Sequence, residues 1–146
     1  MIVLNNLSSN IFKYNIQKLI EYTLKELGVS ENVNITILNN DSLLKKLSGE
    51  TEFQAFINQT ALNNMFIITI KTGVSCPDLI ICHELVHLKQ YLDKSLHVDI
   101  KNKTFTWRGR EYSNTYNYVS RPWEVEAVNL SGKILRKFKK ELRKSL

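Results

Sequence analysis

The chain of 146 residues is poor in the residues that cross-link or break a fold, with two cysteines, two prolines and five glycines. Two cysteines cannot form the disulfide framework of a small secreted domain. No apolar run approaches the roughly 18 residues of a membrane-spanning helix, and no secretory signal is seen at the N-terminus. Internal repeats and flexible linkers are also lacking. We therefore expect an intracellular, cytoplasmic protein with a single domain over residues 1–146.

Excess charge is absent from most of the chain. The net charge is +6, yet residues 1–131 hold 13 basic and 13 acidic residues. Residues 132–146 hold seven basic residues and one acid. Their apolar residues recur at helical spacing, which predicts a basic amphipathic helical tail. We interpret its cations as a solvated helix face, in preference to a surface that binds nucleic acid or an anionic membrane.

The hydropathy pattern predicts an α+β fold. Helical spacing predicts four helices, from Ile11 to Leu27, Asp41 to Leu47, Pro77 to Leu92 and Pro122 to Lys144. Runs rich in β-branched residues predict strands from Ile2 to Leu4, Asn34 to Leu38 and Met65 to Ile70. Leu96 to Ile100 and Thr104 to Arg108 flank a polar turn and predict a hairpin. We expect one small mixed or antiparallel sheet packed against the two long C-terminal helices.

The most specific pattern is His83-Glu84-Leu85-Val86-His87, an HExxH motif inside the third predicted helix. Residues four positions apart lie on one face of a helix, so both imidazoles can reach a single metal ion. Glu84 is then placed to act as general base on the water that the metal activates. The motif therefore predicts a zinc site with His83 and His87 as ligands and Glu84 as the catalytic residue.

A catalytic zinc site needs a third protein ligand. Asp93 would face away from the two histidines on an unbroken helix, and His97 is interpreted as a solvated strand residue. Glu124 and Glu126 remain, and they lie roughly 200° apart around the last helix, so they cannot both face the site. Glu124 shares its face with small and apolar residues, so we prefer it, and Glu126 is the alternative third ligand.

With the segments HELVHLKQ, TWRGREY and RPWEVEA, the chain resembles the gluzincin branch of the zincin-like metallopeptidases. More narrowly, it is similar to small metallopeptidases encoded by phages and prophages. The resemblance covers about half of the chain, from roughly Met65 to Leu135. It implies a zincin-like fold, a Zn²⁺ cofactor, a peptide or protein substrate and a phage-encoded or virion-associated protein. It also implies that His83, His87 and a later Glu are the ligands, and supports Glu124 for that position.

In such enzymes, a strand before the metal-binding helix pairs with the substrate. The resemblance assigns this role to the strand that contains Phe66, Ile67, Ile68 and Thr69. An ordinary core strand is the alternative interpretation.

Hydrolysis also needs a hydrogen-bond donor that stabilises the oxyanion of the transition state. The segment before the last helix offers four unranked candidates, Tyr112, Tyr116, Tyr118 and Arg121.

Together these features predict a zinc-dependent metallopeptidase, a hydrolase that cleaves peptide bonds. The alternative is a catalytically inactive zincin-like module that binds metal and serves as a structural or interaction protein, for example in a phage particle or on a host protein. A nucleic-acid-associated protein that uses the basic tail is a third interpretation.

Overall fold

The computed structural model of the chain describes residues 1–48, 54–62 and 64–145. These residues form four α-helices, α1 Ile16–Glu26, α2 Asp41–Ser48, α3 Pro77–Leu92 and α4 Pro122–Lys144. They also form seven strands, β1 Ile2–Asn5, β2 Asn34–Asn39, β3 Ala55–Gln59, β4 Met65–Ile70, β5 Leu96–Asp99, β6 Thr104–Trp107 and β7 Arg110–Ser113. None of these helices has the length and apolar character needed to span a membrane. The last residue of the predicted tail, Leu146, lies outside the described residues.

The strands form two sheets rather than the one sheet that was predicted. The first has the order β1-β2-β4-β3, with β1, β2 and β4 parallel and β3 antiparallel to β4. The second is an antiparallel sheet of β5, β6 and β7. The prediction of an α+β fold is confirmed. The prediction of a single sheet is wrong because the hairpin of β5 and β6 pairs with β7 and with none of the described strands of the first sheet.

Strand β4 lies inside the first sheet, and both of its backbone edges are used. It pairs with β2 on one side and with β3 on the other. The assignment of a substrate-pairing role to Phe66, Ile67, Ile68 and Thr69 is therefore wrong, because an added strand needs a free edge. Three of these four side chains are at most 1% exposed, so the strand has the alternative role of a core strand.

Helix α1 begins at Ile16, five residues later than predicted. A short 3-10 turn occupies Ser9–Ile11, and the side chain of Asn15 accepts a hydrogen bond from the backbone N–H of Lys18. Asparagine at this position satisfies an N–H group that the first helical turn leaves without a partner. The cap therefore determines where the helix begins, although the apolar spacing extends further back.

Helix α3 lies in the centre of the hydrophobic core. Its side chains Ile81, Cys82, Leu85, Val86 and Leu88 are all fully buried. A helix with apolar residues on several faces has to be covered on several sides, and the same core contains residues of α1, of α4 and of the first sheet. The HExxH motif consequently lies on the most enclosed element of the fold.

Asp78 anchors the start of α3 to the N-terminal part of the chain. Its carboxylate accepts hydrogen bonds from the backbone N–H groups of Lys13 and Tyr14 at 2.8 and 3.1 Å, and the residue is 4% exposed. The negative charge also lies in the first turn of the helix, where the helix dipole favours an anion.

We expect Asp78→Ala to lower the free energy of unfolding by about 2–3 kcal/mol, because it leaves two backbone donors without an acceptor. Chemical denaturation of the purified protein measures this change. Glu31→Ala, which removes a carboxylate from an exposed loop residue, is the matched control and should change stability little. Equal stability of the two variants would contradict an anchoring role for Asp78.

Candidate metal centre

The packing of α3 against the start of α4 brings three potential ligands together. The Nε2 atoms of His83 and His87 lie 3.2 Å apart, and each is 3.0 Å from Oε1 of Glu124. The two histidines come from successive turns of α3, and Glu124 comes from the first turn of α4. His87 and Glu124 are buried and His83 is half-buried.

The spacing and chemistry of these donor atoms fit a zinc ion. Ligands at 2.0–2.1 Å from a tetrahedral ion lie about 3.3 Å from one another. The three donors are 3.0–3.2 Å apart, close to that value. Two imidazole nitrogens and one carboxylate oxygen are also a donor set of catalytic zinc sites, which leave a fourth position open.

Glu124 is an anion in this environment. Burial raises the pKa of its carboxyl group, but the hydrogen bonds from His83 and His87 outweigh burial and hold the pKa well below its usual range. Burial lowers the pKa of His87, whereas the contacts with Glu124 and Glu84 raise it, with a net value of about 9. Helices α3 and α4 are therefore held together by a buried contact between the His87 ring and the Glu124 carboxylate.

Glu84 differs from Glu124 although the two carboxylates lie in the same site. Glu84 is 7% exposed, and none of the hydrogen bonds within the described part of the chain involves its carboxylate. Burial raises its pKa, and the histidine pair only partly offsets this effect. A buried carboxylate with a raised pKa and no fixed partner has the properties of a general base.

Gln90 determines which nitrogen of His87 carries the proton. The Oε1 atom of Gln90 lies 2.8 Å from Nδ1 of His87, while its Nε2 donates to the carbonyl oxygen of Trp123 and to Oε1 of Glu126, both at 3.1 Å. Because the carbonyl and the carboxylate only accept, the amide nitrogen must face them and the amide oxygen must face His87. Nδ1 of His87 then donates the hydrogen bond, and once the ring is neutral, as metal binding requires, Nε2 is the nitrogen that presents a lone pair to the cluster.

Glu126, the alternative third ligand, belongs to this supporting network instead of to the ligand cluster. One of its oxygens accepts from Gln90 and the other from Nη2 of Arg108 at 2.9 Å. Arg108 and Gly109 form the two-residue turn between β6 and β7, and both have positive φ angles. The second sheet is thereby connected through Glu126 and Gln90 to His87.

Gln90 and Arg108 were not predicted as site residues. Gln90 was detectable in principle, since it follows His87 by three residues and so lies on the same side of the helix. Arg108 could not be detected in this way, because its position depends on the hairpin turn and on how the second sheet packs.

Of the four candidate oxyanion donors, Tyr118 is the one whose hydroxyl group faces the site. Burial raises the pKa of this hydroxyl, and the carboxylates of Glu124 and Glu84 raise it further. Tyr118 also lines both clefts beside the cluster. The hydroxyl group therefore stays protonated and can donate a hydrogen bond.

The other three candidates have structural contacts. Tyr112 and Tyr116 pack edge to face with ring centres 5.1 Å apart. Arg121 lines the smaller cleft, but its Nε and Nη2 donate to the carbonyl oxygens of Tyr116 and Asn114. Its guanidinium group is also 4.9 Å from the centre of the Phe105 ring. These contacts hold the segment that leads into α4.

Two clefts lined by described residues flank the cluster. The larger, of about 410 Å³, has an apolar wall formed by Leu79, Ile80 and Val128 and reaches His83 and Glu84. The smaller, of about 100 Å³, lies between the cluster and Phe105 of the second sheet. Ala55 of β3 lines both, so the edge strand of the first sheet borders the site on both sides.

Comparison of the chain with protein-family models, with curated proteins and with solved structures finds no match. Its function therefore has to follow from the chemistry of the cluster.

We expect Gln90→Ala to weaken zinc binding by about 10- to 100-fold, because His87 loses the acceptor that orients its ring and selects its tautomer. Competition with a chelator measures the Kd. Gln17→Ala, which changes a glutamine on the exposed face of α1, is the control and should leave the Kd unchanged. Nitrogen-15 NMR of the zinc-loaded protein should show a proton on Nδ1 of His87 and none on Nε2. A proton on Nε2, or an unchanged Kd in Gln90→Ala, would contradict this role.

Proposed function

We propose that the chain is a zinc-dependent metallopeptidase of the gluzincin branch, with a zincin-like fold. The observation that carries the proposal is the convergence of His83, His87 and Glu124 beside the buried carboxylate of Glu84. His83, His87 and Glu124 would hold the zinc ion, and Glu126 would support them through Gln90.

Bound zinc would act as a Lewis acid that polarises the scissile carbonyl group and makes water a stronger nucleophile at neutral pH. A carboxylate oxygen of Glu84 accepts a proton from the attacking water and later delivers it to the leaving amine. The hydroxyl group of Tyr118 donates a hydrogen bond to the oxygen on which negative charge develops. The roles of these two residues are supported by their positions, since both line the two clefts.

Strand β3 replaces β4 as the strand that we expect to pair with the substrate. It pairs with β4 along one edge, and no other described strand pairs with its outer edge. An extended peptide can add to such an edge through main-chain hydrogen bonds. Because Ala55 of β3 lines both clefts, a peptide in this position would cross the metal centre.

Zinc content tests the ligand assignment. We expect about one zinc ion per chain in the wild-type protein, and loss of most of it in His87→Ala and Glu124→Gln, because each removes one of three protein ligands. Glu126→Gln should retain the metal. Elemental analysis after dialysis measures the content. Full zinc in Glu124→Gln together with loss in Glu126→Gln would show that the third ligand is Glu126.

Hydrolysis of an unfolded protein such as casein tests the reaction. We expect Glu84→Gln to keep its zinc but to lose about 10²- to 10⁴-fold in kcat, because the general base is gone. Tyr118→Phe should lower kcat by about 10²-fold with little change in KM, and Tyr116→Phe is its matched control. If the wild-type protein is no more active than Glu84→Gln, the chain is a metal-binding structural or interaction module.

A further inference from the structure

One face of α4 continues from the larger cleft to the C-terminal end of the helix. Val128 and Gly132 line the cleft, and the same helical face continues with Arg136, Lys139 and Arg143. We call these three residues the cationic stripe. A guanidinium nitrogen of Arg136 lies 3.4 Å from the position that a Cβ atom on Gly132 would occupy. The stripe therefore begins at the rim of the cleft.

The charges of the cationic stripe are not neutralised within the described part of the chain. Arg136 and Arg143 are exposed, Lys139 is half-buried, and none of the ion pairs found there involves them. Two neighbouring lysines on the flank that faces α1 are paired, Lys137 with Glu26 at 2.7 Å and Lys144 with Glu141 at 4.0 Å. Lys133 and Lys140, on another face of α4, are exposed and also absent from these ion pairs, so the stripe is distinguished by its continuity with the cleft.

The stability of the helix does not account for this arrangement. The helix dipole favours cations within the last turn, and Arg136 and Lys139 lie before that turn. Like charges three or four residues apart on a helix repel each other and weaken it. An anionic ligand laid along the stripe would remove that repulsion.

The cleft itself favours an uncharged residue. Among the described residues that line it, Glu84 is the one acid, and none is a Lys or Arg. Leu79, Ile80 and Val128 offer an apolar wall. A side chain bound there would be apolar, and charged residues of the same ligand would have to lie outside the cleft.

We propose that the cationic stripe binds an acidic segment of the polypeptide substrate, on one side of an apolar residue held in the larger cleft. This proposal rests on the proposed peptidase function. From Gly132 to Arg143 the helix rises about 16 Å, which is the length of about five residues of extended chain. The acidic residues would therefore lie about two to five positions from the apolar residue.

A polypeptide is favoured over nucleic acid because the stripe is continuous with the cleft and the rest of the chain, residues 1–131, has no net charge.

Peptide binding to the zinc-loaded Glu84→Gln variant tests the proposal without hydrolysis. Three fluorescent peptides of equal length share a central leucine and carry three Glu on its N-terminal side, three Glu on its C-terminal side, or Gln at all of these positions. We expect one of the two acidic peptides to bind about five- to tenfold more tightly than the Gln peptide at low salt, and less than twofold more tightly in about 0.5 M salt.

The change Arg136→Glu with Arg143→Glu, added to Glu84→Gln, should abolish this preference. The matched control is Lys94→Glu with Lys101→Glu, which alters the net charge equally at two exposed turn positions beside β5, and it should keep the preference. Circular dichroism verifies that both variants are folded.

Three results would overturn the proposal. The first is equal affinity for all three peptides. The second is an equal gain in affinity for both acidic peptides, which would indicate attraction by net charge. The third is an equal loss of the preference in the stripe variant and in the control variant. Single-stranded DNA and phosphatidylserine vesicles are measured in parallel. If the stripe variant loses binding to either of them but keeps the peptide preference, the stripe serves that ligand and the proposal fails. If the wild-type protein hydrolyses peptides but the binding assay shows no preference for an acidic peptide, the role of the stripe is refuted and the peptidase function stands. If an acidic peptide is preferred but no peptide is hydrolysed, the peptidase function is refuted and the role of the stripe stands.

Discussion

The contact between the histidine pair of α3 and the Glu124 carboxylate of α4 is the interaction on which the site depends. A buried carboxylate is costly unless charged or hydrogen-bonding groups surround it. Here Oε1 of Glu124 lies 3.0 Å from both imidazoles, and the same packing lets Gln90 reach the carbonyl oxygen of Trp123. The position of α4 relative to α3 therefore determines the ligand spacing, the tautomer of His87 and the shape of the clefts.

Two carboxylates in one buried site acquire opposite properties from their surroundings. The pKa of Glu124 is lowered because two imidazoles contact it, and the pKa of Glu84 is raised because burial outweighs the attraction of the two histidines. Environments that drive the pKa values of neighbouring acids apart commonly assign them different roles. A permanent anion suits a metal ligand, and a carboxylate of higher pKa suits proton transfer.

Helix α4 combines three properties along its length. Its first turn carries Glu124, its middle carries Val128 and Gly132 at the cleft, and its last turns carry most of the excess positive charge. The helical repeat aligns the second and third of these along one face. The net charge of the chain is thus a property of one helix that leads away from the metal centre, and the body that holds the ligands has no net charge.

The sequence by itself determined the features that depend on residues near each other in the chain. These include the HExxH spacing on one helix, the bounds of α3, α4 and β4, and the confinement of charge to residues 132–146. Periodicity of 3.6 or 2 residues is a local property, so it can be recognised without knowing what the element packs against. The preference for Glu124 over Glu126 also came from periodicity, because only Glu124 shares a face with small and apolar residues.

Only the tertiary structure decided which distant groups meet. It placed β4 inside the sheet and left β3 at the edge, because strand order depends on pairing between residues far apart in sequence. It connected Arg108 through Glu126 and Gln90 to His87, and it selected Tyr118 from four candidate donors. These outcomes follow from the burial of two helices and two sheets against one another, and no local pattern contains that information.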